Sequence, residues 1–231
     1  MGRKIHDETK KKRGYGTGTG RNYLPWITTE EFNSMGTCCN PIDWKTGRTV
    51  HLLSQTEKRL WYLLRWDDDI VDIREQYPLD IEITKEIARK FNINHPKYRG
   101  KEVVMTTDFL VTLKSGAEIA INVKSDEAQR NDQRTIEKTF IEKYYWKECR
   151  DTTFKLVSNK DINENLSMNI ELVCVYYDIN KVHDESSFLK YLIANKEIEI
   201  DMKSEILNFR ELLKQYGGNL WKNTQLKSEQ F

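Results

Sequence analysis

The sequence predicts an α/β fold: a mixed sheet covered by helices, followed by a small helical domain. Three observations predict it. Short runs rich in β-branched and aromatic residues alternate with segments whose apolar residues recur at helical spacing. Two of those runs are joined by a glycine turn, and a third follows only after a long helix, so one sheet must hold both a hairpin and a crossover. Past about Asn169 the pattern becomes helical.

Residues 1–22 are basic and glycine-rich, with Arg3, Lys4, Lys10, Lys11, Lys12, Arg13 and Arg21 set against Asp7 and Glu8. No strand precedes the alternating glycines and no helix opens from them, so a phosphate-binding loop is excluded and a flexible basic arm is expected. Order is expected from Tyr23, with Thr28-Thr29-Glu30-Glu31 fitting the start of a short helix. Leu52–Trp66 reads as a helix, with Leu60, Trp61, Leu63 and Leu64 on its apolar face. A strand runs from Ile70 to Tyr77 and stops at Pro78, and a short helix covers 82–91. Residues 102–113 and 118–124 are strands around the turn Lys114-Ser115-Gly116. A charged helix follows over roughly 127–148, then a strand over 153–157. Helices over 185–195 and 202–216, ended by Gly217-Gly218, make the C-terminal part. The expected division is an arm over 1–22, a main domain over 23–168 and a small domain over 169–231.

Composition bounds the function. The chain has 231 residues, enough for one ordinary domain and an appendage. Eleven Tyr, 8 Phe and 6 Trp argue against a disordered chain. No window approaches roughly eighteen apolar residues, so no membrane span is expected. The N-terminus lacks the apolar stretch of a secretory signal. The four cysteines form no C-x-x-C pair and read as thiols of a cytosolic protein. No His/Cys spacing suits zinc. A net charge of +1 leaves nucleic-acid binding to a local patch.

One constellation carries chemistry. Asp108 stands inside an apolar strand, where a carboxylate is costly unless paired or bound to a cation. On the returning strand, Asn122 and Lys124 are two apart and share a face. Glu57 opens the preceding helix. Two acids, an amide and a lysine suit a Mg²⁺-dependent phosphodiesterase, because oxygen ligands hold hard cations and a lysine stabilises developing charge. Each residue has a plainer reading. Ser54-x-x-Glu57 is also a capping box, Asp108 could form a buried ion pair, and Asn122 and Lys124 could be an exposed edge.

Tyr23–Thr28 (YLPWIT), Lys45–Arg48 (KTGR), His51–Ser54 (HLLS), Asp72–Leu79 (DIREQYPL), His95-Pro96, Met105–Leu110 (MTTDFL), Val123-Lys124, Glu137-Lys138 and Tyr145-Trp146 occur in one order. This resembles the TnsA family, the endonuclease subunit of Tn-seven-type heteromeric transposases, from about residue 14 to 165. The resemblance implies a restriction-endonuclease-like core, with a winged-helix-like C-terminal domain. It implies cleavage of the 5′ ends of a transposon, together with a TnsB-like DDE transposase and a TnsC-like AAA+ ATPase, by a cytosolic protein acting on transposon-end DNA. It assigns the catalytic acids to Glu57 and Asp108, the lysine to Lys124, and a further metal ligand to the Val123 carbonyl. Mg²⁺ is the implied cofactor, with Mn²⁺ as substitute. The family's usual Gln is here Asn122, one methylene shorter.

DNA contact is expected from Lys10, Lys11, Lys12 and Arg13 on the arm, and from Arg130, Arg134 and Lys138, which share a helix face. Pairing with Glu127, Glu137 and Glu142 is the competing reading and is favoured for Lys143. The rival functions are a free-standing restriction or repair nuclease and a non-catalytic DNA-binding scaffold.

Overall fold

The computed structural model describes residues 5–31, 38–124 and 132–217. The chain divides into two compact units, Met1–Asp161 and Ile162–Phe231.

In chain order the first unit contains α1 (Asp7–Lys12), α2 (Gln55–Trp66), β1 (Ile70–Pro78), α3 (Ile81–Lys90), β2 (Lys97–Tyr98), β3 (Lys101–Glu102), β4 (Thr106–Leu113), β5 (Glu118–Lys124), α4 (Gln133–Tyr144) and β6 (Thr153–Ser158). The main sheet has the order β1-β4-β5-β6. β1 and β5 each pair antiparallel with β4, and β6 is parallel to β5. The mixed sheet is therefore as expected. The β4–β5 hairpin turns at Gly116, whose φ of 83° suits a residue without Cβ. The parallel step spans the sequence that contains α4, as a same-direction pair requires.

Local chemistry sets the helices. The Ser54 hydroxyl accepts from the Glu57 backbone N–H and caps α2. Asp80 caps α3 by accepting from the N–H groups of Glu82 and Ile83. α3 and α4 lay apolar faces on the sheet, and Leu79, Ile87, Ala88, Met105, Leu110, Ala120, Ile141, Tyr145 and Trp146 form one core. α2 touches β1 and β5 and buries Leu60 and Trp61.

The strand expected over 102–113 is interrupted. Residues 103–105 leave it because Val103 donates to the Pro96 carbonyl and the Met105 carbonyl accepts from Leu79. The N-terminal segment is a larger correction. It is not a free arm over its described residues. Lys10 is only 1% exposed, and its ammonium donates to the Trp26 carbonyl at 2.5 Å and to Glu31 at 2.8 Å. A Cβ on Gly16 would come within 2.2 Å of the Pro78 ring, and one on Gly18 within 2.4 Å of the Asn22 carbonyl. These glycines allow close packing, at positive φ.

The second unit holds α5 (Glu164–Cys174), α6 (Glu185–Ala194) and the single turn α7 (Phe209–Leu212), extended by a wider turn to Gly217. A boundary at 168/169 falls inside α5, and the compact units divide at Asp161/Ile162 instead. The helix expected from 202 begins only at 209. Asn169, fully buried, donates to the carbonyls of Met202 and Glu205 and accepts from the Leu207 N–H, which holds that stretch out of a helix. No strand lies among the described residues of this unit, so the wing of the expected winged helix is not among them.

Candidate active site

Four elements of the first unit converge. Glu57 comes from the first turn of α2, Gln76 from β1, Asp108 from β4, and Val123 and Lys124 from the end of β5. Glu57 is 7% exposed. Its carboxylate accepts from the Ser54 hydroxyl at 2.9 Å, the Leu53 N–H at 3.0 Å and the Gln76 side-chain amide at 3.3 Å. The capping and functional readings of Glu57 are thus compatible, since Ser54 supplies the cap and the Glu57 side chain sits beside Asp108.

Asp108 accepts a 2.6 Å hydrogen bond from the Val123 N–H, and the Gln76 side chain favours its charged form. Burial pushes the Asp108 carboxyl above the usual carboxylate range, and the charge of Lys124 opposes the rise. Burial, and then the negative field of Asp108, pushes Glu57 up to about 7. A third acid lies behind this pair. Glu142 on α4 accepts from the Thr107 hydroxyl at 2.7 Å and from the Asn122 amide at 2.6 Å. Its carboxyl is pushed up to about 8, by burial first and by Asp108 second. Thr107 in turn accepts from the Trp146 indole at 2.6 Å.

The donor set fits a hard divalent cation. Its candidate ligands are carboxylate and backbone oxygens, the chemistry Mg²⁺ and Mn²⁺ prefer. Among the described residues the local balance is negative, with one lysine beside two acids. The Asn122 Oδ1 is buried with no hydrogen-bond partner among the described residues, which leaves an oxygen lone pair for a bound group. Among the described residues no cluster of three or more His, Cys, Asp or Glu side chains is placed to hold a metal. Both oxygens of Glu142 accept hydrogen bonds, as do both of Glu57, and Glu57 and Asp108 are the candidate side-chain ligands because they lie beside Lys124 and the Val123 backbone. A two-carboxylate site suits Mg²⁺, which keeps several waters.

The family model for the TnsA-like endonuclease N-terminal domain matches residues 67–159. This segment belongs to the TnsA-like endonuclease family. Over 162 residues the chain is 41% identical to the transposon Tn7 transposition protein TnsA of Escherichia coli, a match covering 69% of this chain and 59% of that protein. The TnsA-like segment holds Gln76, Asp108, Asn122, Val123, Lys124 and Glu142, while Glu57 precedes it.

The expected DNA contacts differ in their surroundings. Lys10 is removed from the set by its burial, whereas Lys11, Lys12 and Arg13 are exposed. Arg130 lies outside the described residues. Arg134 donates to Glu137, three residues on, at 2.9 Å and to the Asn94 carbonyl, the former being the intrahelical pairing of the competing reading. Lys138 is exposed. Glu142, expected as a surface partner, faces the sheet. Lys143 instead lines a depression with Lys124, Thr135, Ile136, Thr139, Phe140 and Leu156.

Sequence reasoning did not single out Gln76 or Glu142. Gln76 stood in plain view within DIREQYPL, but an amide in a strand carries no signal without its partners. Glu142 did carry one: Trp146 is four residues on, which places Glu142 on the core-facing stripe of the helix.

Among the described residues no helix is long and apolar enough to cross a membrane. The four cysteines stand as thiols.

Proposed function

We propose that this chain is a divalent-metal-dependent DNA endonuclease, the subunit of a heteromeric transposase that cuts the 5′ ends of the transposon. The carrying observation is the convergence of Glu57, buried, and Asp108, half-buried, beside Lys124 and the Val123 backbone. The TnsA-like match over 67–159 supports the endonuclease reading, and the likeness to a Tn7 transposition protein supports the biological setting.

In this reading Glu57, Asp108 and the Val123 carbonyl hold Mg²⁺, or Mn²⁺ in its place. The cation, when bound, polarises a phosphoryl oxygen and acidifies an attacking water. The Lys124 ammonium donates hydrogen bonds toward that water and the scissile phosphate, stabilising negative charge as it develops. Asn122 is held by Glu142 through its NH₂ group, which leaves its Oδ1 to accept from the water and orient it. Walls of buried side chains keep the local dielectric low, so each charge acts more strongly than in water.

The proposed partners are transposon-end DNA, a TnsB-like transposase and a TnsC-like AAA+ ATPase, in the bacterial cytosol. The second unit supports a docking role. Met168 and Leu172, one turn apart on α5, Val175 just past its end, and Ile179 are exposed apolar side chains.

The test uses the full chain, its transposase partner and transposon-end DNA. Mg²⁺ or Mn²⁺ should support 5′-strand cleavage and Ca²⁺ should not. Asp108→Ala should abolish cleavage and melt at or above the wild-type temperature, because a buried acid is removed. Unfolding of Asp108→Ala with cleavage per folded molecule intact would instead identify Asp108 as part of a structural ion pair.

A further inference from the structure

Gln76 is 2% exposed and sits in the middle of β1, yet its φ is +47°, in the left-handed region that side chains rarely adopt. Its neighbours keep the sheet register, Glu75 opposite Phe109 and Tyr77 opposite Thr107. A non-glycine residue held this way inside a strand marks a position whose surroundings over-determine it. The side chain supplies the reason. One amide N–H goes to Glu57 at 3.3 Å, and the same amide favours the charged form of Asp108. The amide oxygen accepts from the Thr106 hydroxyl at 3.1 Å, which fixes the NH₂ end toward the acids.

We propose that Gln76 is a positioning residue that fixes Glu57 against Asp108, by donating an amide N–H to Glu57 while its oxygen is anchored by Thr106 on the strand that carries Asp108. The residue type matters. A primary amide can donate to a carboxylate without adding charge. Arginine or lysine there would neutralise the acids and compete with a cation, and a carboxylate would repel both. Glutamine leaves their negative charge available and removes their freedom to swing apart. This inference rests on the metal-site reading above and adds a residue that touches neither metal nor DNA.

The experiment is Mn²⁺ titration of the full chain by calorimetry, with melting curves on the same samples. Gln76→Gly accepts the positive φ and deletes the amide, so it should melt at or above the wild-type temperature. Its Mn²⁺ affinity should fall on the order of 10- to 100-fold, the usual effect of removing a group that orients a metal ligand. Gln76→Asn also tolerates the left-handed backbone, but its amide is a methylene short of reaching both Glu57 and the Thr106 hydroxyl, and it should bind Mn²⁺ more weakly than wild type. Folded Gln76→Gly and Gln76→Asn with wild-type affinity would overturn the proposal, as would unfolding of both. Asp108→Ala separates the two levels. If it loses Mn²⁺ while the Gln76 variants keep it, only this inference fails. If it binds Mn²⁺ like wild type, the metal site itself is wrong.

Discussion

Two buried acid centres meet at consecutive residues of β1, and they are built in opposite ways. Glu75, fully buried, takes a bidentate pair from Arg48 at 2.6 and 2.7 Å and a 3.0 Å hydrogen bond from the His51 N–H. Its charge is matched and its geometry saturated. One residue on, Gln76 faces Glu57 and Asp108, which have neutral donors, each other and a single lysine. Asp43 repeats the first pattern, with Arg65 at 2.7 Å. The difference separates acids whose charge is already matched from acids whose charge is left open to the proposed cation. An arginine fork settles a carboxylate permanently. Backbone N–H groups, a serine and an amide orient it while leaving the negative charge for a cation.

The comparison can be broken from either side. The largest stability effect should come from Arg48→Met, which strands the buried Glu75 charge. Removing one partner of such a pair costs about 3–5 kcal/mol, read as a fall in the denaturant midpoint. A change under about 1 kcal/mol would mean that Glu75 is not held by its pair. Glu57→Gln tests the other centre. Its amide oxygen still accepts from the Leu53 N–H and its NH₂ group can donate to the Ser54 hydroxyl oxygen while the charge is lost, so stability should move by less than about 1 kcal/mol, within the range of one ordinary hydrogen bond, while cleavage is lost. Normal cleavage by Glu57→Gln would leave this residue a capping role only.

The third test is a pH dependence. The Glu142 carboxyl is raised from 4.5 to about 8 in the folded protein. The folded state therefore holds this proton more tightly than the unfolded chain. The stabilisation is fully present below about 4.5 and is lost as pH rises through about 8. Glu142→Gln is a neutral isostere without that loss. In metal-free buffer its melting temperature relative to wild type should climb between pH 5 and pH 8. Parallel melting profiles for the two proteins would show that Glu142 is already ionised in the folded state at pH 5.

Much of the fold was legible because short-range chemistry dictates it. Ser54 announced α2, Pro78 ended β1, Gly116 turned the hairpin, and the periods of 2 and 3.6 separated strands from helices. Glu57, Asp108 and Lys124 were legible because a carboxylate in an apolar strand and an acid at a helix start are both conspicuous. The basic character of residues 10–13 was equally conspicuous and misled for Lys10, because only tertiary packing brings Glu31 and the Trp26 carbonyl to its ammonium. Arg134 donates to Glu137 on its own helix and to the Asn94 carbonyl, 40 residues away. The Asn169 clamp on Met202, Glu205 and Leu207 likewise overrode a helical pattern through contacts more than 30 residues apart.

By itself, then, the sequence determined which segments become strands and helices, and which residues have chemistry worth burying. Tertiary structure decided which acids receive an arginine and which receive an amide, because that choice depends on side chains brought together from distant parts of the chain. Glu75 and Glu57 are the same residue type, and both end up buried. Arg48 comes to one and Gln76 to the other, and that arrangement of partners separates a structural carboxylate from one left able to hold a cation.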